Sequence, residues 1–568
     1  MRELVKVLGF LLRFTRRIPY SRLILALIVV AGVVGGLANT ALLVLINTGL
    51  NRREAIDGPF YLGFFGLCLL LPAARFFSDG LVVHLSQSLM KRLRVQLCRQ
   101  ILATPLRRLE SLGSHRLFAI LTDDVGALTR AQATLPLLFM YLTVLAAGLA
   151  YLGWLSWTVL LALVVVIAVA AFGYQRMILE AVRLFDHARE THNHLFDHFR
   201  ALTQGTKELK IHHRRRRAFV DKVAGTTERL RSYNFKAELI ASAGTSWGHM
   251  LFFLVVGLIV LVLPEVRSVD AETLTGYTLV ILYLITPLQV VLNSLPAFGR
   301  AQVAIARLET VGGSLAEPSA DEEAPADEAP PAPWRRLELA GVTYSYRRDG
   351  DGRDGDAGSF TLGPLDLVLE PGEVVFLTGG NGSGKTTLAK LLVGLYPVAG
   401  GEIRVDGEPV TADGRERYRQ RFSAVFQDFF LFDELIGVEL PDLPDLEATA
   451  RGYLGQLRLD HKVAVENGEF STTDLSQGER KRLALLGAYL EDRPIYVFDE
   501  WAADQDPELK EVFYRELVPQ LKKRNKAVCV ISHDDRFYGV ADRLVKLDGG
   551  RVVLDGPPAA PELPGSRA

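Results

Sequence analysis

Long apolar runs dominate the first half of the chain. They fall at residues 23–50, 59–83, twice within the uncharged stretch 131–175, and at 242–263 and 273–298. About 20 apolar residues in a helix cross a bilayer. The first run carries no charge and is too long for the core of a signal peptide. Gly153-Trp154-Leu155-Ser156-Trp157 splits 131–175 into two spans, with aromatics suited to the membrane interface. The pattern therefore predicts six transmembrane helices. The segments 91–130 and 176–236 are long, basic and helical in period, whereas 51–58 and 264–271 are short connections. Lys and Arg collect on the cytoplasmic side. Both termini and both long segments are expected there, and the segments are expected to be cytoplasmic extensions of the membrane helices. Arg52 and Arg53 oppose this orientation but are outnumbered.

Beyond the last span the pattern changes. Residues 312–333 are rich in Pro, Ala, Asp and Glu without apolar periodicity, which predicts an exposed linker. From 337 onward short apolar strands alternate with helical segments. The expected division is a six-helix transmembrane domain at 1–310, a linker at 311–334 and a nucleotide-binding domain at 335–568. The chain begins almost at its first span, so no Cys/His peptidase domain is expected ahead of it. No internal repeat is present.

Composition adds little. The 568 residues carry a formal net charge of -1, which gives no reason to expect a nucleic-acid partner. The basic segments could be taken for nucleic-acid patches, but they lie between membrane spans on the positive side. Cys68, Cys98 and Cys529 have neither disulfide-framework nor metal-ligand spacing.

Several polar residues sit inside the apolar runs: Asn39, Thr40, Asn47 and Thr48 in the first, Arg75 and Asp79 four apart in the second, His249 in the fifth, and Gln289 and Asn293 in the sixth. Charge at membrane depth is costly and usually faces protein or a watery cavity. Two readings stay open here. Arg75, Asp79, His249 and Asn293 could line a cavity for a polar cargo, or these residues could bond helix to helix, with Arg75 and Asp79 neutralising each other.

The cytoplasmic half centres on Gly379-Gly380-Asn381-Gly382-Ser383-Gly384-Lys385-Thr386-Thr387. An apolar strand at 374–378 precedes it and a helix at 388–395 is predicted to follow. This is a P-loop pattern. Its glycines let main-chain N–H groups wrap a phosphate chain, and the helix N-terminus adds unpaired donors. Lys385 is expected at the β- and γ-phosphates of ATP, with the Thr386 hydroxyl on Mg²⁺. Tyr344 and Tyr346 fall near the preceding strand; an aromatic there can stack on adenine, with Tyr346 the candidate, or either can be core. The Asp- and Gly-rich segment 349–358 is expected to be a solvated hairpin insert. A calcium loop would need a flanking helix pair and a terminal Glu, which it lacks.

Further motifs follow in order. Gln427 follows a short strand at 424–426. Leu475-Ser476-Gln477-Gly478-Glu479 precedes a helical run at 480–490. The strand at 495–498 ends in Asp499-Glu500, and that at 528–532 ends at His533. Phosphoryl transfer needs charge neutralisation, in-line placement and a group that orients water. Glu500, directly after a buried strand, suits that last role. In this set the chain resembles the ATP-binding cassette family. The resemblance implies that Gln427 and Asp499 help hold Mg²⁺, that Glu500 polarises the attacking water and that His533 contacts the γ-phosphate. It implies too that Ser476, Gln477, Gly478 and Glu479 form the signature segment closing the ATP site of an opposite subunit.

The whole chain is similar to an ABC exporter half-transporter. That implies a type I ABC exporter fold with long cytoplasmic helix extensions, fused to an α/β P-loop cassette. Thr104-Pro105-Leu106 and Leu121-Thr122-Asp123-Asp124-Val125 resemble the ends of the first cytoplasmic loop, whose short helices couple membrane and ATPase. One cassette per chain implies a homodimer, with a heterodimer as the alternative. Where most exporters continue Ser-Ala-Leu-Asp, this chain has Trp501-Ala502-Ala503-Asp504-Gln505-Asp506-Pro507. With 427–433 and 531–535, this resembles the cyclic-peptide and siderophore-peptide exporters of bacteria. The expected activity is ATP-driven export of a cyclic peptide or peptide siderophore across the cytoplasmic (inner) membrane. The alternatives are a multidrug or lipid exporter, or a membrane-anchored ATPase with a sensing role.

Overall fold

The computed structural model describes residues 21–52, 56–266, 269–315, 333–346, 360–435 and 446–558. Residues 1–20, most of the linker 311–334 and the insert 349–358 lie outside the described residues. By its contacts the chain forms two units, Met1–Val95 with Ala119–Leu308, and Gln96–Phe118 with Glu309–Ala568.

The membrane unit is built from long helices: α1 (Ser21–Asn51), α2 (Gly58–Leu102), α3 (Val125–Leu155), α4 (Trp157–Gln204), α5 (His213–Gly257) and α6 (Ala271–Leu315). Five helical stretches among the described residues are long and apolar enough to cross a membrane, those containing α1, α2, α3, α5 and α6. The fourth apolar run lies at the start of α4. Helix breaks fall where the sequence cannot continue. Ser156 is extended, with φ −163° and ψ 110°, and separates α3 from α4. The Tyr277 hydroxyl reaches the carbonyls of Leu152 (2.8 Å) and Ser156 (2.6 Å), which also accept from the N–H groups of Ser156 and Leu160, and so ties α6 to the break. Trp154 and Trp157 beside the break are exposed, as the interface assignment requires.

Helix α4 runs without interruption from its apolar start into the basic segment, and α5 runs back from basic to apolar. Ala181, Ala188 and Leu195 of α4 and Ala237 of α5 are buried. The short helix Thr206–Ile211 lies between the two. Arg52, the exception to the charge rule, pairs with Glu272 at 2.8 Å, so its charge is locally balanced. Asn47 is fully buried. Its amide donates to the Tyr151 hydroxyl (2.8 Å) and the Glu272 carbonyl (3.1 Å), and its Oδ1 accepts from Thr275 (2.7 Å). Thr40 and Thr48 donate to carbonyls four residues back in α1. These three join helices or close on their own helix.

The cassette unit has a six-stranded sheet ordered β12-β11-β3-β10-β9-β6. Its strands are β3 (Val374–Gly379), β6 (Phe422–Val425), β9 (Ile495–Asp499), β10 (Ala527–Ile531), β11 (Arg543–Asp548) and β12 (Arg551–Gly556). All neighbours are parallel except β11 with β12. Every residue of β3, β9 and β10 is buried, the pattern of parallel strands covered on both faces. An antiparallel sheet, β2-β1-β4-β5, contains β1 (Leu337–Ser345), β2 (Thr361–Leu369), β4 (Gly400–Val405) and β5 (Glu408–Pro409), and a small antiparallel pair joins β7 (Val465–Glu466) to β8 (Glu469–Phe470). Helix α7 (Lys385–Leu392) follows β3, and α8 (Leu446–Gln456) and α9 (Gln477–Glu491) come later. The helix after the P-loop starts and ends three residues before its expected bounds: it begins directly after Gly384, at φ +102°, and Gly394, at φ +80°, takes the chain out of it.

Candidate nucleotide site and membrane cavity

In an open α/β sheet the ligand site lies beyond the carboxyl ends of the parallel strands. Here β3 leads into the P-loop, β6 into Gln427, β9 into Glu500 and β10 into His533. The fold thus delivers four separated motifs to one edge.

The loop 379–384 needs glycine at two points. Gly379, at φ +145°, would place a Cβ 2.1 Å from the Leu547 carbonyl. Gly384, at φ +102°, would place one 2.7 Å from Leu362 Cδ1. Gly380, Asn381 and Gly382 are exposed, with open space around the two glycines. Lys385 is buried, and its Nζ donates to the carbonyls of Gly379 and Gly380, each at 3.0 Å. Burial pushes its pKa below the usual lysine range, against the pull of Glu500 and Asp499. Thr387 is buried, and the exposed Tyr346 meets it hydroxyl to hydroxyl at 3.2 Å. Tyr344 is core and stacks on Tyr396 at 5.1 Å. Only Tyr346 of the two tyrosines is thus free to offer a ring face to a base.

Asp499 closes β9 and is 1% exposed. Neither carboxylate oxygen has a hydrogen bond of ordinary geometry, and Ser383 Oγ is likewise buried and unpartnered. Burial raises the Asp499 pKa, opposed by the nearby Thr386 hydroxyl, while Glu500 and Asp428 raise it further and Lys385 lowers it. A buried carboxylate without donors fits a cation that is to be shared with Thr386. Gln427 is exposed at the end of β6, whose Val425 pairs in register with Phe498. Glu500 Oε1 lies 3.1 Å from His533 Nε2. Both line a cleft of about 360 Å³ with Ala502, Ser532 and Asp534. Glu500 has φ +50°, a conformation that costs energy for a residue other than glycine.

The segment Ser476, Gln477, Gly478, Glu479 opens α9. Ser476 is its N-cap, and Glu479 returns the bond, forming a capping box. Glu479 also pairs with Lys462. These bonds lower its pKa to about 2. Among the described residues, no hydrogen bond or ion pair joins these four residues to the 379–387 loop of the same chain.

A short helix, Leu106–Leu112, belongs to the cassette's unit although it follows α2. Glu110 pairs with Lys390 at 2.8 Å and accepts from the Tyr396 hydroxyl, while Arg107 lies over the Tyr344 ring at 5.4 Å.

In the membrane unit, Arg75 and Asp79 line one cavity of about 260 Å³ with Asn39, Ser78, Tyr141 and Tyr283. Arg75 Nε and Asp79 Oδ2 are 3.9 Å apart. His249 and Asn293 are not among its lining residues. His249 meets Gln289 at 3.2 Å, and Asn293 is exposed. Sequence reasoning singled out neither Lys481 nor Tyr396. Lys481 is 1% exposed and pairs with Asp504 across 23 positions, which no local pattern reveals. The unusual Trp501 beside Asp504 was the one available signal.

A protein-family profile described as ABC transporter transmembrane region matches residues 22–288, and one described as ABC transporter matches 362–503. The ATP-binding protein SyrD of Pseudomonas syringae pv. syringae is 36% identical over 531 residues, covering 92% of this chain and 93% of that protein. The ATP-dependent lipid A-core flippase of Bordetella pertussis is 25% identical over 572 residues, covering 95% and 86%. A solved bacterial Atm1-family ABC exporter with ATP bound shares the fold, with TM-score 0.68 at 15% identity and coverage of 95% and 96%.

Proposed function

Since this chain belongs to the ABC transporter family, as a multi-pass membrane exporter with an ATP-hydrolysing cassette, we propose that it exports a peptide, cyclic or siderophore-like, as a homodimer in the bacterial inner membrane. Both termini and the cassette face the cytoplasm in this reading, with domains at 1–310 and 335–568.

Each residue then has a task. Lys385 leaves the loop carbonyls for the β- and γ-phosphates, and main-chain N–H groups of 380–384 cradle the chain. Tyr346 stacks on adenine. Thr386, Gln427 and Asp499 hold Mg²⁺, which supplies charge neutralisation to the triphosphate when bound. Glu500 orients the attacking water and takes its proton, and His533 fixes the Glu500 carboxylate and reaches the γ-phosphate. In a dimer, 476–479 of each copy closes the other copy's site with the N-terminus of α9. Closure favours the outward-facing state only as far as ATP binds the closed form better.

One observation supports a peptide cargo above a lipid: a largely apolar cavity in the membrane unit carries both signs of charge, Arg75 and Asp79, beside Asn39 and Tyr283. Peptide groups offer both donors and acceptors to Arg75, Asp79, Asn39 and Tyr283, whereas acyl chains offer neither. The test is ATP-dependent uptake into inverted membrane vesicles. Labelled cyclic peptide is expected to accumulate. Accumulation of labelled lipid alone would replace the peptide reading with the lipid one.

A further inference from the structure

The strongest unassigned group in the cassette is a buried lysine. Lys481 lies one turn into α9, directly behind the signature segment, with only 1% of its side chain exposed. Its Nζ reaches two acceptors, the Asp504 carboxylate at 2.7 Å and the Glu500 main-chain carbonyl at 3.2 Å. Its own carbonyl accepts from Trp501 Nε1 at 2.8 Å. One turn earlier, Gln505 Nε2 donates to the Gly478 carbonyl at 3.0 Å. The start of α9 is therefore tied to residues 500–505 by four bonds.

These bonds bear on Glu500 because of how that residue is held. Its φ of +50° is disfavoured and persists only where its surroundings fix it. Its N–H donates to Ile531 and its carbonyl accepts from Ala503 and from Lys481. Trp501, 1% exposed and stacked on Phe513 at 4.4 Å, pins the next residue. A buried ammonium is tolerated only when paired and hydrogen-bonded, and here both partners belong to the turn that aims the Glu500 side chain.

We propose that Lys481 is a positioning residue for hydrolysis, holding Glu500 in its left-handed conformation and tying it to the signature segment. The buried charge acts through its two partners, the Glu500 carbonyl and Asp504. In the dimer of the proposed function, 476–479 serves one ATP site and Glu500 of the same copy serves the other. The lysine then links the two sites within each copy. This step rests on the assignment of Glu500, which Glu500→Gln tests on its own in the same assay.

The experiment uses the full-length chain in nanodiscs, with steady-state ATPase measured against ATP concentration. Wild-type turnover establishes the family activity before any variant is read. Lys481→Met removes the charge without stranding another, because Asp504 is 52% exposed and water can take over its hydration. A misplaced catalytic group costs up to about 100-fold. The expected result for Lys481→Met is kcat lower by about tenfold or more, with the ATP KM within about twofold and the melting transition retained. Asp504→Asn is expected to lower kcat likewise, and the double variant to lose no more than the worse single one. A kcat within twofold of wild type, a change confined to KM, or additive losses would overturn the proposal. If Lys481→Met does not fold, Asp504→Asn at its exposed carboxylate decides: an unchanged kcat refutes, and a lowered kcat with unchanged ATP binding supports.

Discussion

Asp499 shows how one side chain can be a cost to the resting protein and, in the proposed function, a requirement of its chemistry. Its two carboxylate oxygens are buried without a hydrogen bond of ordinary geometry, and burial raises its pKa against the pull of the Thr386 hydroxyl. A carboxyl whose folded-state pKa is raised is best tolerated at acid pH, below the unfolded value near 3.8, and costs stability as pH rises through the folded value. A buried polar atom without a partner costs about 1–3 kcal/mol. Asp499→Asn keeps the shape and removes the charge. Without divalent cation the variant is expected to melt no lower than wild type at neutral pH. Adding Mg²⁺ with a non-hydrolysable ATP analogue is expected to stabilise wild type more than the variant, by thermal melting. A variant that melts lower without cation, or gains as much from it, would mean that Asp499 is satisfied by groups other than a metal.

Among elements, the helix Leu106–Leu112 is the smallest with the widest reach. Glu110 holds Lys390 at the end of α7 and Tyr396 just beyond it. Tyr396 stacks on Tyr344 and meets Tyr346 edge to face at 6.4 Å. The loop between the second and third spans thus touches the aromatic cluster beside the proposed adenine position. Glu110→Ala removes a partly exposed ion pair worth about 1 kcal/mol or less, so folding is expected to survive. Basal ATPase is expected within twofold of wild type while vesicle uptake falls at least fivefold. Parallel loss of both, or loss of neither, would deny the helix a coupling role. The sequence exposed part of this scale. Uncharged runs revealed the spans, because apolar length is a local property, and Ser156 fell inside the expected hairpin. The P-loop and strand-end motifs were legible for the same reason, since each is a few adjacent residues on one element. Contacts made by chain reversal were not. Glu110 finds Lys390 across 280 positions, and Lys481 finds Asp504 across the rest of α9 and all of β9. Nor did membrane polarity alone sort its residues. Asn47 turned out to bond α1 to α3 and α6, and His249 to meet Gln289, while Arg75 and Asp79 line the cavity.

For the whole molecule, the question is whether the cavity receives cargo or only fills space between helices. Arg75 and Asp79 lie 3.9 Å apart, beyond hydrogen-bond contact, and each side chain is more than half exposed in the single chain. Such a pair is weakly satisfied by itself and has donors and acceptors left for a third group. If a peptide supplies that group, Arg75→Ala and Asp79→Ala each leave the other charge exposed and remove one anchor. Basal ATPase is then expected to stay within about twofold, since neither residue belongs to the cassette unit. Stimulation of ATPase by peptide, and uptake, are expected to fall at least tenfold, the scale of losing one or two charge-assisted hydrogen bonds at about 1.4 kcal/mol per decade. The neutral double variant Arg75→Leu with Asp79→Leu separates the readings. A purely structural pair tolerates it, because apolar residues at membrane depth replace a self-neutralising pair with little loss of stability. Full peptide-stimulated ATPase and full uptake in that double variant would therefore assign the pair to packing, and remove the charged cavity as a support for peptide export.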